Sequence, residues 1–200
     1  NRRLPTMRRQ AGTPDAVSPV MVALPENTSA LTVVSSATQH HKCAILNNSE
    51  TICWGSNTRG QLGANWVCDT SSDNCTYMEY DWDDAGTSFP QVVQFPQNRS
   101  AIAIAAGGEF TCAITDNHAI YCWGKNQGFL LGQGDEITRT VPRLTELPGG
   151  REAVAIAAGG NSACAISIDH NVYCWGSGGN GVLGDGSNAS NPTPGLVTLD

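Results

Sequence analysis

The sequence predicts an all-β protein made of β-propeller blades of about 50 residues, with three full repeats plus flanking strands. A cysteine pair followed by Trp-Gly occurs three times, as CAILNNSETICWG, CAITDNHAIYCWG and CAISIDHNVYCWG. Short alternating or β-branched runs are separated by Gly, Asn and Pro, and no segment shows a helical period. Four such strands in each repeat are typical of a propeller blade.

The elements are expected in the same order in every unit. A Pro-led apolar run, such as PQVVQF, comes first, and a small-residue run, AIAIAAGG or AVAIAAGG, follows it. The cysteine pair then brackets a turn, and Trp-Gly leads into a loop that ends in Leu-Gly. The glycine pairs predict a close approach of neighbouring blades near the propeller axis.

Repeat spacing defines the expected boundaries. The first two cysteine motifs lie farther apart than the second and third, so we place an insertion in the first unit. The predicted segments are a basic N-terminal tail (1–15) and a repeat region (16–200), divided into units 19–89 with the insertion at 64–89, 90–141, 142–193 and the start of a fourth at 194–200.

The cysteines are expected to form disulfides. Residues that flank a short hairpin turn symmetrically face one another at about 4.5 Å between Cα atoms, which is within disulfide reach. The predicted bridges are Cys43–Cys53, Cys112–Cys122 and Cys164–Cys174, with Cys68 and Cys75 closing the insertion. A zinc site is disfavoured because no C-x-x-C occurs, and thiol redox catalysis because one active site would not be repeated three times.

Compartment and partners follow from the disulfides, sequons and charge. Disulfides indicate an oxidising compartment, so the protein is expected to be secreted, in the extracellular space or at the cell surface. The net charge of −7 disfavours nucleic acid as a partner, and no apolar run is long enough to predict a membrane span. Five N-x-S/T sequons in predicted loops indicate N-linked glycans at Asn27, Asn47, Asn74, Asn98 and Asn188.

The segments AIAAGGEFTCAI and YCWGKNQGFLLGQGD resemble the repeat of the regulator of chromosome condensation family, a seven-bladed propeller. The cysteine-bearing form resembles repeats of secreted bacterial surface proteins and of crinkly-type plant receptor ectodomains. The resemblance covers residues from about 16 to 200 and implies a propeller fold. Thr38 and Gln39 replace the glycine pair in the first copy, so different packing is expected there.

The sequence predicts a protein that is not an enzyme. No G-x-S-x-G, Walker or H-E-x-x-H motif occurs, and the glycine-rich LGQGD and LGDGS are interpreted as blade connectors. No metal or other cofactor is expected beyond the glycans, although calcium bound by the segment DWDDAG is an alternative.

The insertion is the candidate interaction loop. It mixes aromatic and acidic side chains, which suit contact with a protein or a glycan, and a solvated loop without function is the alternative. The candidate residues are Trp66, Tyr77, Tyr80, Asp81, Trp82, Asp83 and Asp84.

The repeat count predicts an incomplete propeller or one completed by another chain. Propellers close with four to eight blades, and an open arc leaves blade faces available for pairing. We therefore expect an extracellular, glycosylated structural or interaction module that assembles with itself or other protein chains, as a coat or filament. The alternatives are a receptor-like ligand-binding ectodomain or a secreted enzyme inhibitor and, more remotely, guanine-nucleotide exchange, the activity implied by the family resemblance.

Overall fold

The computed structural model of the protein describes residues 21–38, 40–64, 66–68, 75–77 and 86–198. Almost all of its regular structure is β-strand. The strands are, in chain order, β1 (Ala30–Ser35), β2 (His41–Leu46), β3 (Thr51–Ser56), β4 (Trp66–Cys68), β5 (Cys75–Tyr77), β6 (Gly86–Val92), β7 (Ala101–Ala106), β8 (Phe110–Thr115), β9 (Ile120–Gly124), β10 (Arg139–Thr145), β11 (Ala153–Ala158), β12 (Ser162–Ser167), β13 (Val172–Gly176) and β14 (Asn191–Leu196).

Twelve of these strands form three four-stranded antiparallel sheets. Blade 1 has the order β1-β2-β3-β6, blade 2 the order β7-β8-β9-β10, and blade 3 the order β11-β12-β13-β14. Strands β4 and β5 form a separate two-stranded sheet in the predicted insertion. β7 contacts β2 of blade 1 and β11 of blade 3, so the small-residue strands lie where the blades converge. The predicted all-β propeller architecture is confirmed.

The sheets divide the chain at different points from the predicted units. The Pro-led runs at Pro90, Pro142 and Pro194 form the last strand of the blade before them and do not begin the next blade. The run from Pro194, expected to start a fourth unit, lies in β14 and pairs with β13. Likewise, β6 already begins at Gly86, within the segment predicted as insertion. The position suits proline, because an edge strand tolerates a residue that has no backbone N–H to donate.

The turn after each small-residue strand joins neighbouring blades. The backbone N–H of Gly108 donates to the Gly160 carbonyl at 3.0 Å, and the Ser36 hydroxyl donates to the Gly108 carbonyl at 3.0 Å. In blade 1 the Ser36 N–H reaches the His41 carbonyl, whereas in blade 2 the Gly107 N–H reaches that of Phe110. The first-blade turn is therefore two residues longer, which accounts for the missing glycine pair in the sequence.

The central hairpin turn places a histidine or serine in the left-handed conformation. The residues with positive φ are Ser49, His118 and His170, at 70°, 61° and 65°. Asn and Asp are the residues other than glycine that adopt this conformation most readily. Asn117 instead accepts a hydrogen bond from the Thr115 hydroxyl at 2.6 Å, which holds its side chain against the start of the turn.

The hydrophobic core lies between the blades. One buried cluster joins Phe110, Ile114 and Ile120 of blade 2 to Ala165 and Trp175 of blade 3. A second cluster joins blades 1 and 2 in the same way. Because each sheet buries its side chains against the next sheet, the stability of one blade depends on its neighbour.

A tryptophan of each later blade packs on a glycine of the blade before it. Trp123 lies over Gly63, and Trp175 lies over Gly132. A Cβ atom at these glycines would lie 2.5 Å from Trp123 Nε1 and 2.6 Å from Trp175 Cδ1, too close for any side chain. Both glycines also have positive φ, 65° and 66°, so two constraints select glycine here.

The substitution Gly132→Ala should separate these two constraints when it is compared with Gly128→Ala. Both glycines have positive φ, but a Cβ at Gly128 meets nothing within 4 Å. We expect Gly128→Ala to lower the free energy of unfolding by about 1 kcal/mol and Gly132→Ala by roughly 2–4 kcal/mol, because the latter also displaces the indole. Urea denaturation measures both, and equal losses would contradict the packing role of Gly132.

Candidate functional site: the faces between blades

Each tryptophan of the two inter-blade contacts also donates a hydrogen bond to the preceding blade. Trp123 Nε1 donates to the Gln61 carbonyl at 2.9 Å, and Trp175 Nε1 donates to the Leu130 carbonyl at 3.1 Å. The acceptor lies two residues before the packing glycine in both cases. We call this pair, a carbonyl and the glycine two residues after it, an indole slot.

A third indole slot holds no indole in the described part of the chain. It consists of the Val182 carbonyl and Gly184, which has the same positive φ of 66° as Gly132. Among the described residues no donor reaches the Val182 carbonyl, and the three atoms nearest to a Cβ at Gly184 all belong to Val197, the first at 3.0 Å. The Val182 side chain is 56% exposed, whereas its counterpart Leu130 is 1% exposed.

The side of blade 3 around this slot is open. Ile166 and Val172 are 39% and 38% exposed, although their counterparts Ile114 and Ile120 in blade 2 are almost fully buried by blade 3. We call Ile166, Val172 and Val182 together the open face. The open face is exposed because no further blade covers it in the described structure. Its side chains are apolar, as in the buried face of blade 2.

The opposite end of the arc carries the complementary half of an inter-blade contact. Trp54 of blade 1 is the counterpart of Trp123 and Trp175, but it is only half-buried. Its indole donates to no acceptor among the described residues. Leu24 packs beside it against a cluster of Ala44, Leu46 and Ile52.

A buried polar network crosses the contact between blades 1 and 2. His41 is fully buried, and its Nε2 lies 3.0 Å from the Thr111 hydroxyl. That hydroxyl donates its proton to the Gln61 carbonyl at 2.8 Å, so it must accept from His41 Nε2. His41 Nδ1 is therefore unprotonated, and it has no partner in the described structure.

Burial of this imidazole lowers the pKa of His41 from 6.5 to about 4, and the charge of Lys42 adds to the effect. The folded protein thus binds a proton at His41 less readily than the unfolded chain does. The stability that depends on a neutral His41 is complete above pH 6.5 and is lost as the pH falls towards 4.

The double substitution H41F/T111A should reduce this pH dependence, because it copies the Phe110 and Ala163 pair found between blades 2 and 3. Between pH 7 and pH 4 we expect the original protein to lose roughly 3 kcal/mol more of its free energy of unfolding than the variant. Chemical denaturation of both proteins at several pH values gives the difference. Parallel pH curves would show that His41 does not titrate in this range.

Disulfides lie at the centre of all three blades. The bridges Cys43–Cys53, Cys112–Cys122 and Cys164–Cys174 join facing residues of the second and third strands, with Cα atoms 4.1 Å apart. The three predicted hairpin bridges are thus present. Cys68 and Cys75 face one another in the register of β4 and β5, and the bridge between them stays a prediction.

The three bridges should differ in their rate of reduction, because only Cys164 is partly exposed, on the open face. Thiol–disulfide exchange requires access to a sulfur atom. In dilute protein with limiting reductant, we expect Cys164–Cys174 to open first, followed by the two bridges whose cysteines are 0% exposed. Alkylation and peptide mass spectrometry give the order. Equal rates would contradict the difference in access.

The predicted glycosylation sites lie at the surface wherever the structure describes them. Asn27, Asn47, Asn98 and Asn188 are exposed. Asn27 and Asn98 occupy equivalent loops that enter the first strands of blades 1 and 2, and both have positive φ, 60° and 53°. Asn74 lies outside the described residues. Glycosylation itself stays a prediction.

The predicted interaction loop is described only in part. Trp66 and Tyr77 are register partners in β4 and β5. The other five candidates, Tyr80, Asp81, Trp82, Asp83 and Asp84, lie outside the described residues.

The glycine-rich connectors are held by their own aspartates. The Asp135 carboxylate accepts hydrogen bonds from the Ile137 N–H at 2.9 Å and from the Asn126 side chain at 3.0 Å. Asp185 accepts in the same way from the Ser187 N–H and from Asn191, both at 2.9 Å. Each carboxylate thus accepts from a backbone N–H group of its own connector, a kind of group that a phosphate cradle would present to its ligand.

Within the described ranges, no group of three or more His, Cys, Asp or Glu side chains is placed to hold a metal ion. No helix in the described part of the chain is long and apolar enough to cross a bilayer.

Sequence reasoning missed the indole slots and the His41 network. The repeated Leu-Gly that ends each connector was visible, and it could have been linked to the repeated tryptophan. Thr111 carries no such signal, because its partner His41 lies in a different repeat and its counterpart in blade 3 is Ala163.

Comparison with known proteins assigns the class of this fold. The regulator of chromosome condensation (RCC1) repeat matches residues 50–114, 117–166 and 169–200, which is more than half of the chain. Its second form matches residues 101–129 and 153–182. The chain therefore belongs to the RCC1 repeat family, as the resemblance in its sequence indicated.

Curated relatives and solved structures agree with this assignment. The probable E3 ubiquitin-protein ligase HERC4 of Rattus norvegicus is 30% identical over 78% of the chain, and the ultraviolet-B receptor UVR8 of Arabidopsis thaliana is 29% identical over 73%. The chain spans only 13% of HERC4 and 29% of UVR8.

The structure of yeast RCC1 (Prp20) bound to Kap60 superposes with a TM-score of 0.68 at 20% identity, covering 85% of the chain and 37% of Prp20. Human WBSCR16 gives a TM-score of 0.67 at 18% identity, covering 87% of the chain and 41% of that protein. At these identities the two structures support the propeller fold alone.

Proposed function

We propose that the protein is a non-enzymatic, extracellular, glycosylated interaction module that assembles with itself or with other proteins. The extracellular compartment is inferred from the three hairpin disulfides, one in each blade. Cytosolic thiols are kept reduced, so a fold with a bridge in every blade is suited to an oxidising environment.

Exposed sequons support the glycosylated state. Four of the five predicted asparagines lie in exposed loops, where a glycan adds no steric conflict with the blades. A glycan at Asn27 and one at Asn98 would stand on the same end of neighbouring blades.

An interaction role, and not a catalytic one, fits the family. Structures of Prp20 concern its binding to Kap60, to Gsp1p and to histones. For this chain we infer protein partners without inferring those particular ones. The ligase activity named for HERC4 belongs to a protein of which the chain spans 13%, so it is not transferred.

Each alternative function requires a different binding surface or a different compartment. A receptor-like ectodomain or secreted inhibitor would use the insertion as its ligand contact, and calcium at the acidic segment would order it. Guanine-nucleotide exchange would require a reducing compartment, in which the hairpin cysteines would be free thiols. An assembling coat or filament would use blade faces instead.

Intact-mass measurements test the compartment and the modification together. For protein secreted from a eukaryotic host, we expect the mass to fall on treatment with an N-glycosidase, and the variant Asn188→Gln to lose one glycan unit. Alkylation should add nothing before reduction and label all eight cysteines after it. Eight reactive thiols in the native protein would contradict an extracellular role and favour nucleotide exchange.

A further inference from the structure

We propose that a groove between blades 2 and 3 binds a basic, extended segment of a partner protein. The inference rests on the proposed interaction function and specifies the surface and the chemistry of the partner. The groove has a volume of about 520 Å³ and lies between the outer strands of the two blades, β10 and β14. Both walls belong to described blades, so the groove does not depend on what lies beyond blade 1 or blade 3. It is lined by leucine and proline side chains and by a few polar groups, among them Gln133, Leu144, Glu146, Pro148, Thr193 and Pro194.

The groove lies beside a repeated turn that has lost its side chains in one copy. The turn that enters the first strand of a blade occurs three times, as LPENTS, FPQNRS and LPGGRE. Asn27, Asn98 and Gly150 occupy the same position in the three copies, and all have a positive φ, of 60°, 53° and 66°. The backbone conformation is thus shared, but the third copy has Gly149 and Gly150 where the second has Gln97 and Asn98. Both glycines line the groove.

The same exchange removes a predicted glycan from this surface. Asn27 and Asn98 are sequon asparagines, whereas LPGGRE contains no sequon. The described sequon of blade 3, Asn188, precedes β14, whereas LPGGRE follows β10, so the two lie at opposite ends of the blades. In the glycosylated state proposed above, the third copy of the turn therefore stays accessible to a protein partner.

The third copy also has acidic residues where the second copy is neutral. Glu146 and Glu152 flank the turn, and their counterparts in the second copy are Gln94 and Ser100. Both carboxylates are exposed, and neither forms an ion pair with a described residue. Two negative charges at this end of the groove favour a partner that carries lysine or arginine.

The arginine between the two glutamates does not cancel their charge. Arg151 is paired with Asp169, and its Nε lies 2.9 Å from a carboxylate oxygen. The second copy has the same pair, in which Arg99 Nη1 lies 3.6 Å from a carboxylate oxygen of Asp116. Because the arginine–aspartate pair is common to both turns, the additional acidic charge is specific to the groove.

A buried acceptor in the lining adds a requirement for a hydrogen-bond donor. Gln133 Nε2 donates to the Arg143 carbonyl at 3.0 Å and to the Cys122 carbonyl at 3.3 Å, which fixes the orientation of the side-chain amide. Its Oε1 is buried and accepts from no described residue. A peptide carries N–H groups along its backbone, so it can satisfy this acceptor while its side chains contact the leucine and proline walls.

An extended segment meets these requirements together. Binding clefts for small ligands have volumes of about 300–1,000 Å³, so this groove has room for a few residues of a peptide. An aliphatic or proline side chain would lie between Leu144 and Pro194, and a neighbouring lysine or arginine would reach Glu146. The partner is therefore specified by one apolar and one basic side chain close together in an extended chain.

Fluorescence anisotropy with two labelled peptides tests the inference on the disulfide-bonded full chain. The probes are Lys-Leu-Pro-Lys-Leu-Pro and Glu-Leu-Pro-Glu-Leu-Pro, which share their apolar residues and carry opposite charges. We expect the basic peptide to bind at least about tenfold more tightly than the acidic one. Equal binding of the two peptides would overturn the inference. Absence of binding would do so as well, including the case in which another segment of the same chain fills the groove.

The variants Glu146→Lys and Glu26→Lys separate the groove from the general acidity of the protein. Both make the same change in net charge, but Glu26 lies in the first copy of the turn, on blade 1. We expect Glu146→Lys to weaken binding of the basic peptide roughly five- to tenfold and Glu26→Lys less than about twofold. Both glutamates are exposed, so equal melting temperatures will show that neither variant is misfolded. Equal losses of binding would contradict a site at the groove.

A glycan placed beside the groove gives a second, steric test. The double substitution Gly150→Asn and Glu152→Ser copies the sequon of the second turn, and a Cβ at Gly150 meets nothing within 4 Å. Once mass measurement confirms the glycan at position 150, binding should fall more than about tenfold below that of Glu152→Ser alone. Treatment with an N-glycosidase should restore it. Unchanged binding in the glycosylated variant would overturn the inference.

The proposed function and the groove can fail separately. Missing bridges or glycans in the intact-mass measurements would overturn the extracellular, glycosylated role, whereas the two peptides and the lysine variants would still decide whether the groove binds. Loss of peptide selectivity in a bridged and glycosylated protein would overturn the groove alone.

Discussion

The indole of one blade seated on the connector of the blade before it is the contact on which the rest of the structure depends. The contact joins three kinds of interaction at one point: ring packing on a glycine, a hydrogen bond to a backbone carbonyl, and the apolar clusters around both. It explains why the Leu-Gly ending and the Trp-Gly step repeat together. It also explains why blade 3, which has no described partner for its slot, exposes aliphatic residues that blade 2 buries.

Sequence and structure agree most closely within a blade. The hairpin bridges could be predicted because facing positions in an antiparallel pair follow from the spacing around a turn, which is local information. The blade boundaries could not be predicted, because the sequence allows a Pro-led strand between two blades to pair with either of them. Only the strand pairing in the structure shows which blade it joins. The turn conformation shows the same limit: Asn117 accepts a hydrogen bond from Thr115, and the residue with positive φ is His118.

Contacts between blades were harder to predict. Thr111 lies 70 positions from His41 and 50 from Gln61, and their network has no copy between blades 2 and 3, so repetition does not reveal it. The contact between blades 1 and 2 is filled by a buried polar network, whereas the contact between blades 2 and 3 is filled at the same place by Phe110 and Ala163. Because both arrangements occur in otherwise similar contacts, packing between blades depends on the shape of the blade faces and on the shared tryptophan more than on any one polar pair.

The distribution of covalent bonds has a mechanical consequence. Each described disulfide closes a hairpin inside one blade, and the contacts between blades are non-covalent wherever the structure describes them. Under a pulling force the arc would therefore separate blade from blade while every hairpin stays closed. While a bridge is closed, the ten residues that it spans cannot extend, which removes roughly 30 Å of contour length per blade. Extension of the chain would therefore begin between the blades and stop short of the full contour length until the bridges are reduced.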